Sequence, residues 1–282
     1  MSFKGKTTKN SRRRATNAIM TSLMAFCALT VVSLLILILG YIAMRGISSI
    51  NLQFLIDRPR PVGEGGGIGN AITGTLLLLG LSSVTGVPLG IAAGVYLAEY
   101  GDGWFGHIVR FVADTLTGVP SIVVGVFVYT LIVLQQKHFS ALAGGVALAL
   151  IMIPIVTRTT EEMIRLVPTS LREGALALGA PQWRVTLGVV LPAASSGIAT
   201  GAMLAIARVS GETAPLLFTA FGSRFFNWYL DQPISSLTVQ IYNYAISPYD
   251  EWHAQAWAAT LVLMTLILTI NITVRFFTRK KF

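Results

Sequence analysis

Apolar and charged positions segregate into long blocks along this chain, and six stretches carry no Asp, Glu, Lys or Arg. They run over 15–44, 65–98, 115–136, 138–157, 185–207 and 252–274. A bilayer core of ~30 Å needs ~20 mainly apolar residues in a helix, and every stretch reaches that length. Trimmed at their polar ends, they predict spans at 18–44, 70–97, 118–136, 140–158, 195–220 and 254–276. The fifth span outruns its uncharged stretch and takes in Arg208 and Glu212. A further uncharged stretch, 232–249, reads QPISSLTVQIYNYAISPY. Its Pro, Ser, Asn and Gln suit a surface loop better than a span. The first stretch is too long for a signal-peptide core, and no A-x-A site closes it.

Composition agrees. The 282 residues are 54% hydrophobic and 12% charged, against roughly 25% charged in soluble domains. A mean hydropathy of +0.69 excludes both a water-soluble globule and a disordered chain. The net charge of +9 would suggest nucleic acid in a soluble protein, but its distribution decides otherwise. Fifteen Lys and Arg flank one side of the predicted spans: Lys4, Lys6, Lys9, Arg12, Arg13, Arg14, Arg110, Arg158, Arg165, Arg172, Arg184, Arg275, Arg279, Lys280 and Lys281. Five flank the other: Arg45, Arg58, Arg60, Lys137 and Arg224. The positive-inside rule then puts both termini in the cytoplasm. The basic tail, 1–17, reads as an anchor beside anionic lipid rather than a nucleic-acid arm.

Catalytic chemistry is not visible. The single Cys27 excludes an internal disulfide and any Cys-cluster metal site. His107, His138 and His253 are scattered, with no i, i+4 pair to hold a metal. Most carboxylates read as loop residues. No cofactor, metal or nucleophile is expected.

Close packing in lipid needs small residues. Gly86, Gly90 and Gly94, and then Gly197 and Gly201, recur at four-residue spacing. They serve either ordinary helix packing or a sliding interface. Pro88, Pro120 and Pro154 are expected to kink their helices. The outer loops are 45–69, with a flexible Pro/Gly segment, and 221–253, rich in aromatic residues. Those aromatics suit either the membrane interface or a protein partner.

Residues 159–192 do not look like a plain loop. Pro168 stops the fourth helix. Ser170 and Glu173 have capping-box spacing, which starts a helix at Leu171. Gly179 is placed to cap its C-terminus, Pro181 suits the first turn of a second helix, and Pro192 marks the start of the fifth span. Glu173-Gly174-Ala175, three residues, Gly179, nine residues and Val189-x-Leu191-Pro192 resemble the EAA loop of ATP-binding-cassette importer permeases, E-A-A-x3-G-x9-I-x-L-P. Gly174 and Val189 depart mildly from it. LAIARVSGETAPLLFTA at 204–220, with YLAEYG, PSIVVGVFVYT and EGGGIGNAI, is similar to the phosphate-importer members of that family. The likeness covers about 60–277.

The resemblance implies an all-α membrane fold of six transmembrane helices, of the type I importer permease kind, with a cytoplasmic coupling loop at 159–192. The first helix, 18–44, and the outer loop, 45–69, would precede a permease domain at 70–277, and a short tail, 278–282, would follow. It implies a second homologous permease subunit, two copies of an ATPase, an external phosphate-binding protein and a prokaryotic inner membrane. Glu173, Gly174, Ala175, Gly179, Leu191 and Pro192 would dock the ATPase, and alternating access would move inorganic phosphate. A permease half for another oxyanion, or a sensor or scaffold that only binds the ATPase, remains as an alternative.

Charge inside a span costs ~2.5–3.5 kcal/mol on insertion scales and usually faces a cavity or a partner. Arg208 and Glu212, one turn apart on the predicted fifth span, form either a structural ion pair or part of an anion path. Arg presents a planar fork of donors to oxyanions. Thr213 adjoins them, and Arg158 is either a positive-inside anchor or a second pathway cation. One prediction follows from the charge bias: a reporter fused after Phe282 that is active only in the cytoplasm is active, and one that is active only outside is silent. The reverse result contradicts the topology.

Overall fold

The computed structural model describes the backbone of residues 5–279 and the side chains of residues 12–276. Its helices are α1 (Gly5–Gly46), α2 (Leu52–Ile56), α3 (Gly69–Glu99) and α4 (Trp104–Gly118). Next come α5 (Ser121–Gln136), α6 (Ala141–Arg165), α7 (Thr169–Ala177) and α8 (Gln182–Ser210). Last are α9 (Ala214–Thr219), α10 (Leu237–Ala245) and α11 (Asp250–Arg279). Among the described residues, α1, α3, α6, α8 and α11 are each long and apolar enough to cross a bilayer, which makes five, and the bent pair α4–α5 brings the number to six where it is counted as one span. The predicted 1–17 tail is helical from Gly5, and the 278–282 tail is helical through Arg279. Residues 1–4 and 280–282 lie outside the described residues.

The bundle is organised around α6. Of its most apolar window, 67% is buried, against none in α1. Small residues make this possible. A Cβ on Gly90 of α3 would lie 2.6 Å from Val156 Cβ, and one on Gly94 would lie 2.5 Å from Thr160 Cβ. On α8, Gly197 and Gly201 meet Met163 and Thr159 of α6 in the same way. Both glycine stripes are therefore packing faces on one central helix, where backbones approach closely because lipid supplies no hydrophobic force between helices. By contrast, α1 leaves 12–41 exposed and docks by its end, where Tyr41 meets Trp257 edge-on at 5.2 Å.

Three predicted elements need correction. The third predicted span is the second limb of a bent helix pair: α4 and α5 meet at 106° around Val119-Pro120. Proline removes a backbone donor and disfavours helix in the residue before it, so the expected kink is a full break. The limb α4 escaped notice because Arg110 and Asp114 interrupt its apolar pattern.

The fifth span begins at Gln182 rather than 195 and ends at Ser210 rather than 220. Pro192 lies within it, not at its start. A π turn at Thr186–Val190 immediately precedes this proline, where the wider turn relieves the clash that its ring would otherwise make with the carbonyl four residues back. Gly211 then caps α8, with its N–H on Arg208 O at 3.2 Å, and the chain resumes as α9 with Pro215 in its first turn. The predicted single helix is two.

Residues 232–249 are not a surface loop. Ile234–Gln240 are buried, and Leu237 N–H donates to Thr75 Oγ1 of α3 at 2.8 Å. The segment dips between the spans and returns as α10, whose N-terminus is capped by Ser236. On its way it serves α6: Gln232 O accepts from Ala141 N–H at 2.9 Å and Leu230 O from Leu142 N–H at 2.8 Å. The first N–H groups of a buried helix need such partners. The Pro/Gly segment of the first outer loop also folds into a closed turn, bridged at Pro59 and Gly66 and tied by Gly63 N–H to Glu251 at 2.7 Å.

Gly90→Val should overpack the α3–α6 contact at a cost of about 1–3 kcal/mol, seen as a lower unfolding temperature of the solubilised protein. Gly80→Val, where a Cβ meets nothing within 4 Å, should leave that temperature nearly unchanged. Equal shifts would contradict the packing.

Candidate functional site

The depth of Arg208 follows from helix register. On α8, Gly197 faces Met163 and Gly201 faces Thr159 of α6, so the two run antiparallel. Arg208 lies about 10 Å beyond Gly201 at 1.5 Å per residue, level with Met152, near the middle of α6. Its neighbour Val209 shares a buried cluster with Met152 and Leu148. Arg208 itself is exposed on the isolated subunit. Among the described residues, no ion pair includes Arg208 or Glu212. The two do not share one helix: Arg208 is in the last turn of α8, and Glu212 and Thr213 form the break beyond it.

That break has a neighbour. A Cβ on Gly125 of α5 would lie 2.6 Å from Pro215 Cα of α9. One turn before Gly125 is the start of α5 at Ser121, and one turn before Pro215 is Gly211. The two interruptions thus sit side by side at similar depth. Interrupted helices at mid-membrane are tolerated where protein or a water-filled cavity surrounds them, and ion and substrate sites occur at such places. The re-entrant segment reaches the same spot: Thr238 Oγ1 donates to Glu212 O at 3.0 Å.

Arg158 lies elsewhere, in the half of α6 nearer Arg165. It is not a free anchor. Its guanidinium meets Asp114 of α4 at 2.9 Å and Glu161 at 3.0 Å. Glu161 is 1% exposed and also receives Arg110 at 2.7 Å and Arg165 at 2.8 Å. Arg110 continues to Gly101 O and Leu97 O at 2.8 and 2.7 Å, which ties α4 to the end of α3. A second buried carboxylate, Glu99, meets Arg172 of α7 at 2.7 Å, and Arg172 donates to Ile164 O at 2.7 Å. Sequence reading missed Glu161 and Glu99 by treating carboxylates as loop residues. The available signal was Arg158-x-x-Glu161 and Glu161-x-x-x-Arg165, which share a helix face.

The segment from Pro168 to Gln182 has the expected form of helix, turn, helix, with one change. The helix α7 begins at Thr169 and Pro168 stands at its N-cap, with no side-chain capping bond, so Ser170 does not cap it. The glycine expectation holds in detail. Gly179 has φ +80°, its N–H donates to Leu176 O at 2.9 Å, and Ala180 N–H donates to Ala175 O at 3.3 Å. This is the Schellman pattern, closed by Ala175 and Ala180 on a common apolar cluster. Glu173 and Gly174 are exposed beside it. Leu176, Leu178 and Trp183 are exposed too, Leu178 to 90%. Exposed apolar side chains grouped in this way are characteristic of protein-interaction surfaces. Leu191 and Pro192 lie further on, within α8.

These features define a helical membrane-transport subunit with a charged break at mid-depth. Residues 86–282 match the model of the family described as binding-protein-dependent transport system inner membrane component. The chain belongs to that family. It is 47% identical to the phosphate transport system permease protein PstA of Yersinia pestis, over 97% of this chain and 93% of that protein. It is 43% identical to PstA of Haemophilus influenzae, over 98% and 99%. Among solved structures it is similar to the inward-facing MetNI methionine ABC transporter, with TM-score 0.62 and 19% identity over 75% of this chain and 96% of that one. It is also similar to a bacterial ABC transporter that imports alginate, with TM-score 0.61 and 15% identity over 95% and 99%. Those likenesses concern the fold: the chain is a multi-pass inner-membrane permease subunit of the type I importer kind.

Glu161→Ala should cost about 1–3 kcal/mol, because it removes the charge-assisted hydrogen bonds of three partly exposed guanidinium groups at one buried carboxylate. Asp114→Asn removes a pair whose carboxylate is 55% exposed and should cost about 0–1 kcal/mol. Thermal unfolding of the solubilised variants checks the ranking, and the opposite order would contradict it.

Proposed function

We propose that the chain is one permease half of an ATP-driven importer of inorganic phosphate. It works with a homologous second permease subunit, two copies of an ATPase and an external phosphate-binding protein. The observation that carries the reading is the exposed, unpaired Arg208 at a mid-membrane helix break, in a chain whose relatives are phosphate permeases. ATP hydrolysis falls to the ATPase subunits. Both termini face the cytoplasm, and α7 with the turn at Gly179 receives the ATPase through Glu173, Gly174 and Ala175. Leu191 and Pro192, in the helix that follows, carry the displacement into α8. ATPase closure pulls α7, which is clamped by Arg172 to Glu99 of α3 and Ile164 of α6, so α3 and α6 move with it and access alternates. Phosphate crosses beside Arg208, with Glu212 and Thr213 at the break. Arg158 lies on the cytoplasmic side of that level, where it can exchange Asp114 for the anion.

The low dielectric at this depth makes a counter-charge several-fold more effective than in water. Arg208→Gln keeps some donors but loses charge and fork. Uptake into proteoliposomes holding all partners should fall about tenfold or more, as expected for a lost charge-assisted hydrogen bond, with assembly intact. Because no ion pair joins Arg208 to Glu212, adding Glu212→Gln should not restore it. Full recovery in the double variant would reduce Arg208 to a structural partner. For docking, Gly179→Asp puts a Cβ at φ +80°, strained by about 1–2 kcal/mol, and a charge into the turn. The ATPase should no longer co-purify while the chain still inserts. Undiminished co-purification would reject the docking role.

A further inference from the structure

A cleft of about 280 Å³ opens between the two outer loops. Arg60 stands on one wall, Arg224 on another, and Gln240, Tyr244 and Trp252 line it along α10 and the start of α11. Two cations, Arg60 and Arg224, and two carboxylates, Asp57 and Glu251, stand around it. Asp57 holds Arg60 at 3.0 Å, and the nearby carboxylate of Glu251 is engaged by Gly63 N–H. Arg224 is exposed and has no ion pair among the described residues.

Neutral donors accompany the cation. Tyr244 is only 4% exposed and its hydroxyl is met by the Gln240 side chain, while the buried Nε1–H of Trp252 has no hydrogen-bond partner among the described residues. The two rings stack at 5.1 Å, which fixes both donors in place. A buried indole N–H left unpaired is costly, so a ligand that pairs it is favoured. The Arg224 wall is also built under constraint. Phe221 and Gly222 have φ of +60° and +123°, and Asn70 Nδ2 pins Ser223 O at 2.6 Å. A bulky residue with positive φ is held by its surroundings, as at ligand sites.

We propose that this cleft is an outer oxyanion site, which takes inorganic phosphate through the Arg224 guanidinium, the Tyr244 hydroxyl and the Trp252 indole N–H. The donor set is all hydrogen-bond donors, with a planar fork suited to phosphate oxygens. The position suits a staging point. Gln240 lies in the cleft, and Thr238, two residues before it, donates to Glu212 O at the break. The assignment of the ligand as phosphate rests on the transport reading; the cleft and its donors do not.

The test uses the complete transporter in nanodiscs without the external binding protein, with radiolabelled inorganic phosphate in equilibrium dialysis. Arg208→Gln should lose uptake but keep a phosphate-binding component. Arg224→Gln should weaken that component about tenfold or more, the loss of one charge-assisted hydrogen bond, and Arg224→Lys should regain part of it. Tyr244→Phe keeps the ring stack and removes only the O–H, so it should weaken binding even if Arg224→Gln fails to assemble. Unchanged binding in both Arg224→Gln and Tyr244→Phe overturns the proposal. So does a variant that binds free phosphate normally but loses the external protein, since the cleft would then be a protein contact. Loss of uptake on Arg208→Gln bears on the transport path alone, so the two readings fail separately.

Discussion

A backbone amide or carbonyl cannot go unpaired in a lipid interior, and the architecture of this permease is governed by that constraint. Its spans are not all continuous. The chain stops being helical around Val119-Pro120 and again at Gly211–Thr213, at depths where no lipid group offers a hydrogen bond. At the second break the freed groups are taken up locally. Gly211 N–H and Glu212 N–H turn back to Arg208 O and Val209 O, and Glu212 O accepts from Thr238, carried in by the re-entrant segment. The same segment supplies carbonyls to the start of α6. A stretch of Ser, Thr and Gln that would be ill-placed in lipid is thus the internal solvent of the half of the bundle that carries α10.

The half of the bundle that carries α7 is held by charge instead. Glu161 is a buried carboxylate on which Arg110, Arg158 and Arg165 converge, and Arg172 reaches Glu99 and a carbonyl of α6. Arg172 ties α7 to the ends of α3 and α6, and Arg110 and Asp114 tie α4 to the same ends, so the short helix is joined to the spans without a slack linker. Buried pairs are a weak source of stability but are strongly destabilising to break, which suits a rigid connection. The α10 half, hydrogen-bonded through hydroxyls and carbonyls, and the α7 half, bolted by guanidinium groups, meet at the level of Arg208.

Much of this was legible in the sequence. Uncharged stretches located the spans because a charge at mid-bilayer is costly whatever the fold. Gly179 was legible because only a residue tolerant of positive φ closes such a turn. The breaks were less so. A hydropathy pattern reports composition, and Ala214–Thr219 is as apolar as a continuing helix. Its local signal was Gly211 followed by Pro215, a C-cap and a first-turn proline. The burial of 234–240 had no local signal, since it depends on partners distant in sequence such as Thr75. Arg158 was read as an anchor or a pathway cation because pairing with Asp114 is a tertiary fact.

The central claim is that the Gly211–Thr213 break opens onto the phosphate path. Thiol labelling at Thr213 tests it directly, in a Cys27→Ser background that removes the native cysteine. The assembled transporter carrying Thr213→Cys is treated with a small water-soluble thiol reagent, with and without inorganic phosphate and ATP. The account predicts that the residue reacts, that its rate changes through the ATP cycle, and that phosphate slows it. A thiol that stays unreactive in every state, or one that reacts at the same rate with phosphate present, would contradict it.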